Sequence, residues 1–334
     1  MKLDTALGAW ERACVRAGAL RFVDLNLRAA GQVMFQDNPL SGLLFLAAIA
    51  WAAIDAGTPA ILAGTLLGLA AATLTAIWLR ADGSNLAAGL YGYNGVLVGL
   101  ALPIFLQPSP LLWACVLLGA AASVVGTFWT AAVTRNWGGA VLTFPFVLTT
   151  WVLLLAGRAF AGLGGHALPP PVPAAPAGAA PALPLAAADI VVAVLRSVSQ
   201  VFFLDDTVAA LLLLAGLALG SPAAAALALA GALLAVLAAM AMGADGGLIR
   251  AGLMGFSPVL TAVALGSVFY APSARVLAYA AVGTLFTVVL QGAMNAALAP
   301  LGIPTLTAPF IFATWLFLLP RRHVAGTAEP ADAP

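Results

Sequence analysis

A single series of short motifs occurs twice in the same order, and it limits the possible folds more than any other feature. The first copy reads Gln32-Val33-Met34-Phe35, then Leu90-Tyr91-Gly92-Tyr93-Asn94-Gly95-Val96-Leu97, then Leu142-Thr143-Phe144-Pro145-Phe146. The second reads Gln200-Val201-Phe202-Phe203, then Leu253-Met254-Gly255-Phe256-Ser257-Pro258-Val259-Leu260, then Leu306-Thr307-Ala308-Pro309-Phe310. The offsets are 168 (200−32), 163 (256−93) and 164 (307−143), so the chain is an internal duplication with small insertions. A repeat of this length makes the unit of folding half the chain, and each half is expected to adopt the same architecture.

The solvent of that architecture follows from composition. Hydrophobic residues make up 63% of the chain and charged residues 7%, against about 25% charged in soluble domains. The mean hydropathy is +1.08. A net charge of +1 gives no electrostatic basis for binding nucleic acid. Cys14 and Cys115 match no metal or disulfide spacing and read as packing residues. Glu11, Arg12, Arg16, Arg21, Asp24 and Arg28 interrupt the N-terminal stretch, so no cleavable signal is expected there.

A spanning helix needs about 20 apolar residues to cross a hydrocarbon core about 30 Å thick. Apolar runs lie near 40–56, 59–79, 85–106, 110–133 and 138–157, and again near 207–220, 222–243, 247–270, 274–299 and 304–320. Charges cluster at the joints: Arg80, Asp82, Arg135, Arg158, Asp245, Arg250 and Arg275. Residues 158–186, with Pro169-Pro170-Pro171, cannot be helical throughout and read as a linker. The expected organisation is therefore 1–27 as an N-terminal cytoplasmic or interfacial segment, 28–157 as the first repeat and 187–320 as the second. Residues 321–334 form a tail. Five crossings per copy force the second copy to insert upside down. Basic residues at both ends, including Arg12, Arg16, Arg321 and Arg322, place both termini in the cytoplasm.

Two short, polar-tipped segments, 28–36 and 195–204, precede the first long run of each copy. Short helices at matching positions of two halves point to a site near the membrane midplane. The polar residues repeated are Gln32 with Gln200 and Thr143 with Thr307, all neutral. The apolar partners are Phe35 with Phe203, Tyr93 with Phe256, and Leu97 with Leu260; each 93–97 or 256–260 pair shares one helix face. A lone Gln or Thr in a membrane helix commonly only bridges to a neighbour, worth about 0.6 kcal/mol. Repetition of both types instead describes a path of flat apolar walls and neutral hydrogen-bonding groups, suited to a small planar uncharged solute. Asp37, Asp82, Asp205, Asp206 and Asp245 read as capping or interfacial acids. A proton- or sodium-coupling role is the rival reading. His166 and His323 lack catalytic or metal-binding partners in sequence, and no enzyme motif appears.

Gln-Val-x-Phe with Asn38-Pro39-Leu40-Ser41-Gly42, then Leu90-Tyr91-Gly92-Tyr93-Asn94-Gly95, then Thr143-Phe144-Pro145-Phe146, resembles the urea transporter family over roughly residues 28–320. The resemblance implies an all-α polytopic membrane protein of the cell (inner) membrane. Its two inverted five-helix repeats, with two half-helices and about ten transmembrane helices, would surround a central pore. It also implies a homotrimer with one pore per subunit, and passive, channel-like diffusion of urea without ion coupling or cofactor. Carried over by position, Gln32 and Gln200 stand at the half-helix ends, where carbonyl ladders accept the urea amides. Thr143 and Thr307 offer hydroxyls at the centre. Tyr93, Leu97, Phe256 and Leu260 form slots, with Phe35 and Val201 completing the walls. Two departures stand out: Leu204-Asp205-Asp206-Thr207 replaces an Asn-Pro motif, and Phe256-Ser257-Pro258 faces Tyr93-Asn94-Gly95. They leave open an ion-coupled or passive transporter of another small neutral amide, or of ammonia.

Overall fold

The computed structural model describes residues 2–173 and 185–320. The linker residues 174–184 and the tail 321–334, with Arg321, Arg322 and His323, lie outside them. Among the described residues the chain is helical, and the elements repeat as the motifs do. After α1 (Lys2–Arg16), the first copy comprises α2 (Gly18–Gln32), α3 (Pro39–Asp55), α4 (Pro59–Trp78), α5 (Gly83–Ala87), α6 (Tyr93–Phe105), α7 (Pro110–Thr134) and α8 (Phe144–Ala159). The second comprises α9 (Ala187–Ser199), α10 (Thr207–Gly220), α11 (Pro222–Ala241), α12 (Gly246–Arg250), α13 (Phe256–Val263), α14 (Ala274–Leu298) and α15 (Ala308–Leu318).

Helix starts are written into the sequence. Asn38 caps α3 through the Leu40 amide, with Pro39 in the first turn, and Ser109, Ser221 and Ser273 cap α7, α11 and α14. Asp82, Asp206 and Asp245 cap α5, α10 and α12. Asp206 thus fills the place of Asn38 (206−38=168), so the lost Asn-Pro motif still yields a capped helix. Asp37 and Asp205 pair with Arg28 and Arg196, each at 2.8 Å. Asp82, Asp206 and Asp245 thus cap helices as expected, while Asp37 and Asp205 sit in ion pairs that the sequence did not indicate.

Among the described residues, four helices are long and apolar enough to span: Pro59–Trp78, Pro110–Trp137, Pro222–Ala241 and Ala274–Leu301. The segments 187–202 and 207–220 meet at a 72° bend as a fifth, broken span. Large apolar side chains on the outer surface, such as Trp78 (80% exposed) and Ile54 (72%), suit lipid rather than water. The protein is a multi-span membrane protein.

Two expectations about elements change. The runs 85–106 and 247–270 are each broken by a turn, at 88–92 and 251–255, because Gly89 (φ 79°) and Gly252 (φ 75°) adopt left-handed backbone. A Cβ at Gly89 would collide with the backbone of Arg28 and Ala29, and one at Gly252 with Arg196 and Ser197. The first short helix starts at Gly18, ahead of Arg28. The described residues after α8 are tied to both copies: His166 N donates to Phe105 O, and Arg158 Nη2 donates to Pro169 O and Gly302 O at 2.8 and 2.6 Å.

Small residues set the packing between helices. Added side chains at Gly64 and Gly68 of α4 would strike the backbone of Gly95 and Gly99 of α6, and the reverse also holds. Between the copies, α3 meets α10 where Ser41 Oγ donates to Gly216 O at 2.7 Å. Small residues here let the helix backbones approach closely.

Candidate functional site

The two copies are clasped through reciprocal contacts. Trp151 Nε1 of α8 donates to Pro304 O at 2.9 Å, and Trp315 Nε1 of α15 donates to Ala140 O at 2.8 Å. Both relations share the offset of 164 (315−151, 304−140). Phe35, at the tip of α2, packs edge-on against Phe269 and Phe310 of the other copy. Phe203, at the tip of the α9 segment, packs edge-on against Phe105 and Phe146. Residue i touching j′ while i′ touches j is the signature of a twofold relation.

Thr143 and Thr307 lie where that relation brings matching residues face to face. Their hydroxyls are 2.6 Å apart and buried. Each precedes a proline-bearing helix start, with nearly the same backbone (φ −89°, ψ 17° and φ −89°, ψ 14°). Each follows a leucine with positive φ, Leu142 (51°) and Leu306 (50°). A non-glycine residue in that region costs on the order of 1–3 kcal/mol and persists only where its surroundings impose it. In the first copy they do so directly: the Tyr93 hydroxyl and Asn94 Nδ2 both donate to Leu142 O, and Asn94 Oδ1 accepts from Phe146 N at 3.1 Å. In the second copy the hold comes from upstream, where Gln291 Nε2 donates to Thr305 Oγ1 at 2.8 Å.

Tyr93, Leu97, Val201, Phe256 and Leu260 all belong to the central packed cluster, with Phe35 and Phe203 against it. Tyr93 and Phe256 are each 7% exposed. Val201 is buried in that core at 1%. The residue in Phe35's place is Phe203 (203−35=168), half-buried like Phe35 and with the same left-handed backbone (57° and 62°). The repeat offset alone identifies Phe203, whereas no local signal marks Asn94, Phe105 or Phe269.

Gln32 ends α2 and Gln200 follows α9. Their carbonyls are not free. Gln32 O accepts from Phe35 N and Gly31 O from Gln36 N, while Gln200 O accepts from Phe203 N and Ser199 O from Leu204 N. This is the ending in which a left-handed residue folds the chain back onto the last carbonyls. Gly31 O also accepts from Met34 N, whereas Gln32 O and Gln200 O, with one donor each, keep a lone pair for another. The site carries no charge of its own; the nearest ion pairs, Arg28–Asp37 and Arg196–Asp205, hold the tips from outside. Among the described residues no group of acids, histidines and cysteines could hold a metal ion. Cys14 and Cys115 are buried free thiols.

The family model described as "Urea transporter" matches residues 23–322. The chain belongs to the urea transporter family. Urea transporter 1 of sheep, Ovis aries, is 32% identical over 308 residues, covering 90% of this chain and 77% of the sheep protein. Urea transporter 1 of rat, Rattus norvegicus, is 30% identical over the same coverage.

Proposed function

We infer that this protein carries urea across the membrane by passive, channel-like diffusion, through a path running between the two copies. The observation that carries this reading is the buried Thr143–Thr307 hydroxyl pair, placed on the twofold relation and flanked by the crossed Phe35 and Phe203 rings, in a chain of this family. Urea is planar and neutral, with donors on two nitrogens and one acceptor. Flat rings confine it edge-on and strip its water. Hydroxyls, the Gln200 carboxamide and the second lone pairs of the tip carbonyls return the lost hydrogen bonds. An ion of similar size would lose far more hydration than these neutral groups return.

In this path Tyr93 with Leu97 and Phe256 with Leu260 form the walls on either side of the centre, with Phe35 and Phe203 at the two ends. The arrangement around it is two inverted repeats, 28–157 and 187–320. About ten crossings result if the shorter helices and the bent pairs complete the spans. The reciprocal Trp and Phe contacts relate the copies by a twofold, and an odd number of crossings per copy lays that axis in the membrane plane. The basic N-terminal residues Arg12, Arg16 and Arg21 favour a cytoplasmic N-terminus, and an even number of crossings returns the C-terminus to the same side.

Stopped-flow urea flux in proteoliposomes tests the function. Flux should exceed that of empty liposomes and stay the same when sodium or proton gradients are imposed. Accumulation driven by either gradient would establish the coupled alternative instead. A homotrimer with one path per subunit is the assembly the family resemblance implies. Native mass spectrometry of the detergent-solubilised protein should give three copies, and a lone subunit or a dimer would exclude it.

A further inference from the structure

Around the central threonines the two copies hold the same backbone by different means. In the first, one carboxamide serves two buried backbone groups. Asn94 Oδ1 accepts from Phe146 N at 3.1 Å, and Asn94 Nδ2 donates to Leu142 O at 3.4 Å, beside the Tyr93 hydroxyl. Phe146 N is one of the amides that a helix start leaves without an internal acceptor, and Asn94 satisfies it from another helix. In the second copy Phe256 stands for Tyr93, Ser257 for Asn94, Leu306 for Leu142 and Phe310 for Phe146. Phenylalanine brings no hydroxyl, and a serine side chain stops a bond short of an asparagine amide.

The main chain nevertheless keeps its course. Leu306 has φ 50° against 51° at Leu142, and Thr307 has ψ 14° against 17° at Thr143. The groups that Asn94 and Tyr93 satisfy in one copy are therefore orphaned together in the other. Among the described residues, no protein group donates to Leu306 O and none accepts from Phe310 N. The Ser257 hydroxyl is buried without a protein partner. Gln291 holds the Thr305 side chain but leaves Leu306 O untouched. Ser257, Leu306 and Phe310 are each at most 1% exposed, so bulk solvent does not serve them. One unpaired buried polar group is costly, and three at one place call for a bound partner.

We propose that the second copy binds a single water molecule between Ser257 Oγ, Leu306 O and Phe310 N, where the first copy places the Asn94 carboxamide. A cation there would face the Phe310 N–H and an anion the Leu306 carbonyl, so the ligand must be neutral and must both donate and accept. Exchanging asparagine for serine frees roughly the share of one water, about 30 Å³. Water accepts from Phe310 N and the Ser257 hydroxyl and donates to Leu306 O, and about three bonds is what a buried water commonly makes. The first copy thus fixes the Thr143 segment with protein alone, and the second fixes the Thr307 segment with protein and a bound water. The site belongs to the fold whatever solute the path carries.

Its test is a set of crystal structures, grown without urea and at a resolution that shows single waters, of wild type, Ser257→Asn and Asn94→Ser. Wild type should show one water-sized peak within hydrogen-bond distance of Ser257 Oγ, Leu306 O and Phe310 N. Ser257→Asn should expel that water and bond Leu306 O and Phe310 N through its carboxamide. Asn94→Ser should acquire a water at the matching place, between Leu142 O and Phe146 N. No peak in wild type, with the three groups closed onto other protein atoms, overturns the proposal. So does a larger density fitted by lipid or detergent, or a peak that stays in place in Ser257→Asn. If neither variant folds, the wild-type density decides alone. A failure here leaves urea transport standing, and wild-type flux no greater than that of empty liposomes leaves the water site standing.

Discussion

Thr143 and Thr307 share one hydrogen bond, so neither side chain can be understood without the other. Valine preserves the shape of threonine but removes the hydroxyl. Thr143→Val leaves the Thr307 hydroxyl buried and unpaired, a cost of about 1–3 kcal/mol. The double variant removes both polar groups and should cost less than the two single variants together, a coupling of about 0.5–3 kcal/mol. Unfolding of all four proteins in one detergent measures that coupling, and additive losses would show that the contact is not energetically shared. Urea flux should fall in each variant, since the path loses a hydroxyl at its centre in every case.

At the scale of elements, the deciding feature is where an apolar run is forced to turn. Gly252 carries left-handed backbone and also has the Arg196–Ser197 backbone against its Cβ position, whereas Gly243 (φ 70°) faces open space. Gly243→Ala should therefore cost only the conformational strain, about 1–2 kcal/mol. Gly252→Ala adds a collision between two backbones and should be substantially more damaging, visible as a lower yield of folded protein or a lower melting temperature. Equal losses would mean that the α12–α13 turn does not need its close approach to α9. The same comparison applies to Gly89, whose Cβ position abuts Ala29. These two turns also explain why hydropathy alone merged α5 with α6 and α12 with α13: glycine and alanine leave an apolar run unbroken in composition while breaking it in backbone.

For the whole molecule, inversion makes a prediction that no single helix makes. Arg80 and Gly243 occupy the same place in the two copies (243−80=163), each exposed just after the long helix α4 or α11. In an inverted pair they face opposite sides of the membrane. With Cys14 and Cys115 replaced, Arg80→Cys and Gly243→Cys should react with a membrane-impermeant maleimide from opposite sides of oriented vesicles. Labelling from the same side would mean parallel repeats and would remove the basis for a path running across the twofold. The reciprocal Trp151–Pro304 and Trp315–Ala140 bonds hold the two copies in register, so the path between them is built by the pair and not by either half.

What could be read from residues alone was whatever depends on short range. Hydropathy placed the chain in a membrane, the motif offsets showed the duplication, and Asn38, Ser109, Ser221 and Ser273 with their neighbouring prolines marked helix starts, because caps act over three or four residues. The repeated Gln and Thr positions were legible for the same reason. Packing between segments about 164 residues apart decided the rest. It brought Thr143 against Thr307, set the Phe35 and Phe203 rings edge-on against aromatic residues of the opposite copy, and gave Asp206 the capping role of Asn38. It also separated two identical glutamines by their partners. Gln32 Nε2 donates to Ala88 O, whereas at the matching turn Arg196 reaches Arg250 O. Identity of residue and position fixes what a side chain can bond to, and only the surrounding fold fixes which of those bonds is already made.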